Sequence, residues 1–467
     1  LVLINRIFKI FLRITFYLLL TLALLIILLY IPPIQTFVAR KGTNTLSNKI
    51  NGEIHIGALN LNLFGNLILK DVYIKDASNN ELLQVNKIDL EISLIPLLYK
   101  KLYVDHINID GFRSNLEIDS EASTTNFDFV INAFISDQEK KDNKPNQWDI
   151  SINEVSIEKS SFSLRVIKKL VLEVEVGELE FLADKTDLEN LDFKVDDIEL
   201  HNSNVSLEIK RDSIFQSESD DFTADNKDTQ MHNIIAEVGQ IDVSNLGFHL
   251  NVYNNFNLDT SIPGFSGDDI SFNLNEHLIN SSSIQLNNSK TIMAYMEDAN
   301  DNRIDTLTLS SEGTPFIEKF MWNINSQKID LEDCEVKFDN HSIPDTIQVI
   351  NFNHFDFKEI NLSLREASMA KQHLEAKIEA FRIKENKGFN LRELRGGLYY
   401  KEDRIALEDI QLNTSNSSIK ASASMEGINL SNPMVKAGDI TFNLNVDQFL
   451  IGSNDIDFLM TNNFLTD

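Results

Sequence analysis

Nine histidines, one cysteine and 71 acidic residues are the side chains here that could bind a metal or move protons, and their spacing organises none of them. His55, His106, His249 and His373 stand singly, with no second histidine at metal-ligand spacing. Cys334 is alone, which excludes an internal disulfide and a cysteine zinc site. The run Asp298–Asp305 (DANDNRID) puts Asp298, Asn300 and Asn302 at alternating positions, as a calcium loop does. Arg303 occupies the place where an EF-hand needs glycine, and Leu309 the place of its closing glutamate, so the run reads as a polar hairpin turn. Paired carboxylates occur throughout so acidic a chain and select no site. The GxSxG, HExxH, GxGxxG and P-loop signatures are absent. The sequence predicts no catalytic residue, no metal and no cofactor.

Apolar spacing carries the information instead. Ile14–Ile31 (ITFYLLLTLALLIILLYI) holds no charge and spans about 27 Å as a helix, close to the hydrocarbon thickness of a bilayer. Arg6, Lys9 and Arg13 precede it, which puts the N-terminus in the cytoplasm and the bulk of the chain on the far side. Pro32 and Pro33 are expected to end that helix. A cleaved secretory signal is the alternative, but no small-x-small site stands near Tyr30–Ala39. Forty-two basic against 71 acidic residues give a net charge of −29. That excludes a nucleic-acid surface and argues against electrostatic docking on anionic headgroups. With one cysteine in 467 residues, a bacterial periplasm fits better than an oxidising eukaryotic compartment.

Beyond the anchor, Ile34–Ile50 reads as a loose amphipathic helix, and the rest is dominated by period-two alternation, the mark of half-buried strands. Ile88, Leu90, Ile92 and Leu94 share one face, as do Phe162, Leu164 and Val166, or Ile440, Phe442, Leu444 and Val446. Asn126–Ile135 has helical spacing, Asp137–Gln147 reads as a polar loop, and Asp212–Gln230 as a disordered acidic one. Leu374–Phe381 suits either helix or strand. In Leu170–Phe181 the apolar series Leu172, Val174, Val176 changes phase to Leu179 and Phe181 across Gly177, the pattern of a β-bulge. No helical crossovers separate the strands, so the expected fold is mainly β: one N-terminal transmembrane helix, then an elongated, curled antiparallel sheet of about two dozen strands with a few short helices. The divisions are 1–33 for the cytoplasmic N-terminus and anchor, 34–136 for a cap and first strands, 137–149 for the polar loop, and 150–467 for the continuing sheet, interrupted at 212–230.

One face of that sheet is polar and the other is lined by Leu, Ile, Val and Phe. The apolar face reads equally as a closed core or as an open groove filled by something apolar, such as acyl chains at about 0.8 kcal/mol per buried CH₂. The groove-lining candidates are Leu61, Leu63, Leu90, Ile92, Phe162, Leu164, Phe248, Leu250, Phe272, Phe442 and Leu444.

Several stretches carry a resemblance to a family. These are Gly52–Gly57 (GEIHIG), Leu67–Leu83, Ile88–Gly111 (IDLEISLIPLLYKKLYVDHINIDG), Asn126–Phe134, Trp148–Phe162 and Gly388–Ile419, in that order after the anchor and Pro32-Pro33. In them the chain resembles the AsmA-like proteins, most closely the TamB type of Bacteroidetes. The resemblance implies an inner-membrane-anchored, repeating β-groove in the periplasm. It further implies a non-enzymatic bridge that moves phospholipid between inner and outer membrane or, alternatively, a scaffold assisting assembly of outer-membrane barrel proteins. An outer-membrane barrel partner would be met through a C-terminal domain that is not recognisable in this sequence. Together with a start at Leu1 and a stop at Asp467 in mid-pattern, that gives the expectation of a fragment.

Overall fold

The computed structural model describes residues 31–50, 52–62, 65–76, 80–97, 99–119, 124–130, 149–187, 192–210, 235–253, 255–273, 276–296, 322–345, 351, 353–370, 373–401, 403–426 and 441–455. The expected anchor up to Tyr30, the 137–147 loop, the 212–230 loop and the DANDNRID run lie outside them. Among the described residues no helix is long and apolar enough to cross a membrane. The described chain is mainly β and divides into two compact units, Leu1–Ile167 and Lys168–Asp467.

Unit 1 begins with helix α1, Pro32–Ile50. The two prolines open this helix, where their missing N–H groups cost nothing and their fixed φ suits the first turn. Strands β1 (Glu53–Leu61), β2 (Asn66–Lys75), β3 (Glu81–Ile92) and β4 (Lys101–Asp110) follow, each antiparallel to the one before. The short helix α2 (Leu94–Leu97) lies in the β3–β4 connection. β4 continues past Gly111 as β5 (Arg113–Asp119), which pairs with the two-residue β6 (Thr124–Thr125). β7 (Asp149–Ile152) and β8 (Glu154–Val166) form one long line broken at Asn153. They run parallel to β4 and β5.

In unit 2, β9 (Leu170–Asp187) pairs antiparallel with β10 (Asp192–Ile209), which pairs parallel with β11 (Ile235–Val252). β12 (Phe256–Asn273) lies antiparallel to β11 and to the collinear β13 (Leu278–Asn287) and β14 (Lys290–Tyr295). β15 (Asn323–Asn340) is parallel to both of these. An antiparallel meander completes the unit: β16 (His354–Ala370), β17 (His373–Glu385), β18 (Asn390–Lys401), β19 (Arg404–Thr414), β20 (Ser418–Glu426) and β21 (Thr441–Leu450). The ambiguous Leu374–Phe381 is strand.

The expectation of an antiparallel sheet is therefore corrected: each unit is mixed. A parallel neighbour needs a connection long enough to bring the chain back along the strand, and a helix is only one way to supply it. The parallel pairs follow the long connecting segments 120–148, 211–234 and 297–321. An 18-residue strand is about 60 Å long, within reach of some two dozen residues of extended chain.

The phase change at Gly177 is not a bulge. β9 and β10 keep the same register on either side of it, from His201↔Glu178 to Asn204↔Glu175. Every neighbouring strand changes phase at the same level. Asn202 on β10, Asn245 on β11, Asn288 between β13 and β14, Asp333 on β15 and Glu359 on β16 all have φ near +50° there. In each strand two outward residues stand side by side there, so Val243 and Leu246, or Leu331 and Cys334, bracket the line. A left-handed residue reverses the alternation, and small polar side chains tolerate that conformation best. Gly177 is needed opposite Asn202, since a Cβ on it would lie 2.5 Å from the Asn202 carbonyl oxygen. A second line, about six residues or ~20 Å away, passes Asp269, Glu366, Gly396 and Asp409. Unit 1 has its own line through Asp71, Gly111 and Lys159.

Candidate functional site

The reversal at a line keeps the same face apolar on either side of it. Val195, Val238 and Ile270, at most 4 % exposed, pack with Phe181, Ile198, Ile241, Phe272 and Ile279 in one cluster. Val195 and Ile198 lie on opposite sides of the second line yet join that cluster, as do Val238 and Ile241. The alternation has reversed between them while the face has not.

Register then joins apolar residues into rows across strands. The longest runs Phe272, Ile279, Ile324, Met369, Leu374, Tyr400, Ile405, Met425, Phe442, each the register partner of the next. It crosses nine strands, about 38 Å at 4.8 Å each. Two of the sequence candidates, Phe272 and Phe442, belong to it, and beyond Phe272 it continues to Ala236 on β11. Leu250 lies in a parallel row, Leu207–Leu250–Leu258–Met293–Phe338–Phe355, with the last two rings 5.6 Å apart. Phe248 pairs with Val205 and Thr260 in the row beside it. Leu444 faces Ala423 on the last strand.

In unit 1, Leu61 and Leu90 share the row Leu61–Leu67–Leu90–Ile107–Val155. Ile92 pairs with Val104, Phe162 with Ser114, and Leu164 with Leu116. Leu63 lies outside the described residues. The candidates inside the sheets are half-buried, whereas Phe442 and Leu444 are 56 % and 57 % exposed.

Sequence reading missed the polar groups that hold the lines. Ser160 and Ser203, each directly after a left-handed residue, donate hydroxyl hydrogen bonds to the carbonyls of Glu158 (2.8 Å) and His201 (3.0 Å) two residues back. Ser160 also accepts from the Phe112 N–H at 3.1 Å. Cys334 occupies the equivalent place after Asp333, its thiol 3.6 Å from the Glu332 carbonyl, and it is 3 % exposed. The lone cysteine thus stands where other strands have serine.

Titratable groups form no reaction centre among the described residues. No group of three His, Cys, Asp or Glu side chains there is placed to hold a metal ion. A polar cleft of about 510 Å³ sits on the line at Asp333, Glu359, Asn361, Arg382, Lys384 and Arg392. Lys384 and Glu359 are ion-paired at 3.1 Å, and Asn361 donates to Asp333 at 3.2 Å. At the end of β15, His354 Nδ1 lies 2.7 Å from Asp339 and Nε2 2.6 Å from the Ile343 carbonyl. The Ile343 carbonyl and an ionised Asp339 only accept, an arrangement that favours the doubly protonated ring. The bond to Asp339 raises the His354 pKa above its ordinary 6.5, and the same bond lowers that of Asp339. Nearby, Glu385 is 1 % exposed with one carboxylate oxygen unpartnered, and burial raises its pKa.

The fold and its apolar rows define a large mixed β-sheet protein with a polar and an apolar face. Residues 8–218 match the AsmA family, which supports an AsmA-like relationship for this chain. No curated protein matches it. The family match and the β-rich architecture are consistent with a role in lipid transfer or in assembly.

Proposed function

We propose that the protein is a non-enzymatic, inner-membrane-anchored periplasmic conduit that moves phospholipid along the apolar face of its sheets, of the TamB type within the AsmA-like family. The observation that carries this reading is the row from Phe272 to Phe442, apolar at every one of nine strands and uninterrupted by a charge. An acyl chain moving along it meets no polar stop. The two lines of reversed alternation, ~20 Å apart, support a trough whose apolar side would take acyl chains while headgroups stay in water. The mechanism is passive: no side chain closes on the lipid, and no nucleotide-binding motif supplies direction.

Native mass spectrometry of the full chain, followed by lipid extraction, tests it. Several phospholipids per chain are expected, with Leu90→Asp and Phe248→Asp each reducing occupancy while circular dichroism stays unchanged. Wild-type occupancy in folded variants would place the lipid elsewhere, and a lipid-free native chain would mean a closed core.

One observation favours a second reading, a scaffold for outer-membrane barrel assembly. β21 has no neighbour beyond β20 among the described residues, and such an edge can accept an incoming strand.

A further inference from the structure

The connection between β3 and β4 reads LIPLLYKK from Leu94 to Lys101, and it holds the two most exposed large apolar side chains among the described residues. Ile95 is 76 % exposed and Tyr99 74 %. Nothing in the sheet covers them, and Lys100 and Lys101 follow directly, both exposed.

The position of this connection in unit 1 follows from hydrogen bonds and register. α1 runs antiparallel to β1, with Gln35 bonded to Leu61, Thr36 to Leu59 and Ser47 to Ile54. The start of α1 therefore lies at the Leu61 end of β1. Leu61 pairs with Leu67, and Asn66 with Glu91, so the end of β3 and the connection after it are at that same end. The apolar sequence Ile14–Ile31 leads into α1 there. Ile31 and Phe37 add further exposed apolar surface, at 41 % and 68 %.

Charge points the same way. The whole molecule carries −29, yet residues 31–52 contain no acidic residue and include Arg40 and Lys41, both exposed. Apolar tips, a tyrosine and flanking cations are what an interfacial segment needs: side chains for the acyl boundary, an amphipathic ring at headgroup level, and charges for anionic lipid. The overall acidity that argues against headgroup docking is locally reversed.

We infer that the β3–β4 connection, through Ile95, Tyr99, Lys100 and Lys101, docks into the surface of the same bilayer that holds Ile14–Ile31, fixing that end of unit 1 against the membrane. The inference rests on the anchored reading. It gives the sheet a second contact with the lipid surface, next to the row that begins at Leu61.

Site-specific fluorescence on the full chain in liposomes containing anionic phospholipid tests it. In a Cys334→Ser background, Ile95→Cys, Tyr99→Cys and Asn80→Cys are each labelled with an environment-sensitive dye. Asn80 is exposed at the opposite end of β2. Expected are a blue shift and loss of emission to spin-labelled lipid at 95 and 99, with 80 remaining water-like. Flotation of the liposomes reports the anchor independently. If the chain floats but 95 and 99 stay aqueous, the docking is wrong and the anchor stands. If 80 is quenched as strongly as 99, the end-on placement is wrong. If the chain does not float, the anchored reading fails and this inference falls with it.

Discussion

The strands β1 and β21 each have only one strand partner among the described residues, and the chain treats their free edges in opposite ways. At β1 the edge is closed by side chains. The Gln35 amide donates to the Leu61 carbonyl at 2.6 Å and accepts the Leu61 N–H at 2.7 Å, standing in for a peptide of a neighbouring strand. Ser47 accepts the Ile54 N–H at 2.8 Å. At β21 no such cover exists among the described residues, and Phe442, Leu444, Val446 and Phe449 are 42–64 % exposed. An open, apolar edge is a template for pairing with another chain, and soluble proteins usually blunt it. The contrast teaches that, among the described residues, one edge is closed by side chains and the other is open to pairing.

The most damaging way to break the contrast is to reopen the first edge. Gln35→Leu leaves the Leu61 N–H and carbonyl without partners and should cost about 3 kcal/mol in denaturant unfolding. Hydrogen exchange at Leu61 should speed up while β20 and β21 are unaffected; unchanged protection at Leu61 would show that α1 does not close the edge. Charging the last edge should do the reverse. Leu444→Asp with Phe449→Asp should change stability by less than about 1 kcal/mol, because both sites are exposed, and should lower self-association in light scattering. Loss of folding in that variant would mean the face is covered after all.

A pH series sharpens the comparison further. Amide and hydroxyl groups hold the β1 edge, so its exchange protection should not titrate. Unit 2 contains His354, whose pKa is raised by Asp339, so its contribution is complete below pH 6.5 and fades as pH rises through the folded value. Asp339, lowered by the same bond, contributes above its ordinary 3.8 and loses that as pH falls through its lowered value. Unit 2 should therefore be most stable between those limits, and His354→Gln should flatten the profile. Glu385, raised by burial, is most favourable below 4.5, so Glu385→Gln should stabilise near neutrality. The smallest expected effect is that of Cys334→Ser, within about 0.5 kcal/mol by thermal unfolding, since serine does the same work after Lys159 and Asn202.

Alternation made most strands legible, including their apolar members from Leu61 to Leu444, because a half-buried strand must repeat every two residues. Pairing direction was not legible. A polar stretch such as 211–234 has the same composition whether it hangs loose or returns the chain for a parallel neighbour. The phase slip at Gly177 could be read in one strand, but a slip shared by Asn202, Asn245 and Asn288 looks, strand by strand, like separate accidents. Phe272 and Phe442 were recognisable as lining candidates, while their membership of one row depends on eight successive registers. Gln35 gave no signal, since its value lies in matching a peptide group across space. Lys100 and Lys101 were hidden by a net charge that describes the whole chain and no particular loop.

The left-handed lines have a mechanical consequence. Card scored along two grooves folds there and nowhere else, and afterwards it keeps its channel whether empty or loaded. Scoring by backbone torsion does something similar in unit 2: Asn202, Asn245, Asn288, Asp333 and Glu359 set where the strands reverse their alternation by local conformation alone. On the proposed conduit reading, a guest would not have to shape the sheet, so little of its binding free energy would be spent on shaping the host. On the same reading the side chains of the apolar rows, freed from defining the shape, could differ from strand to strand and tune how firmly each stretch would grip a lipid.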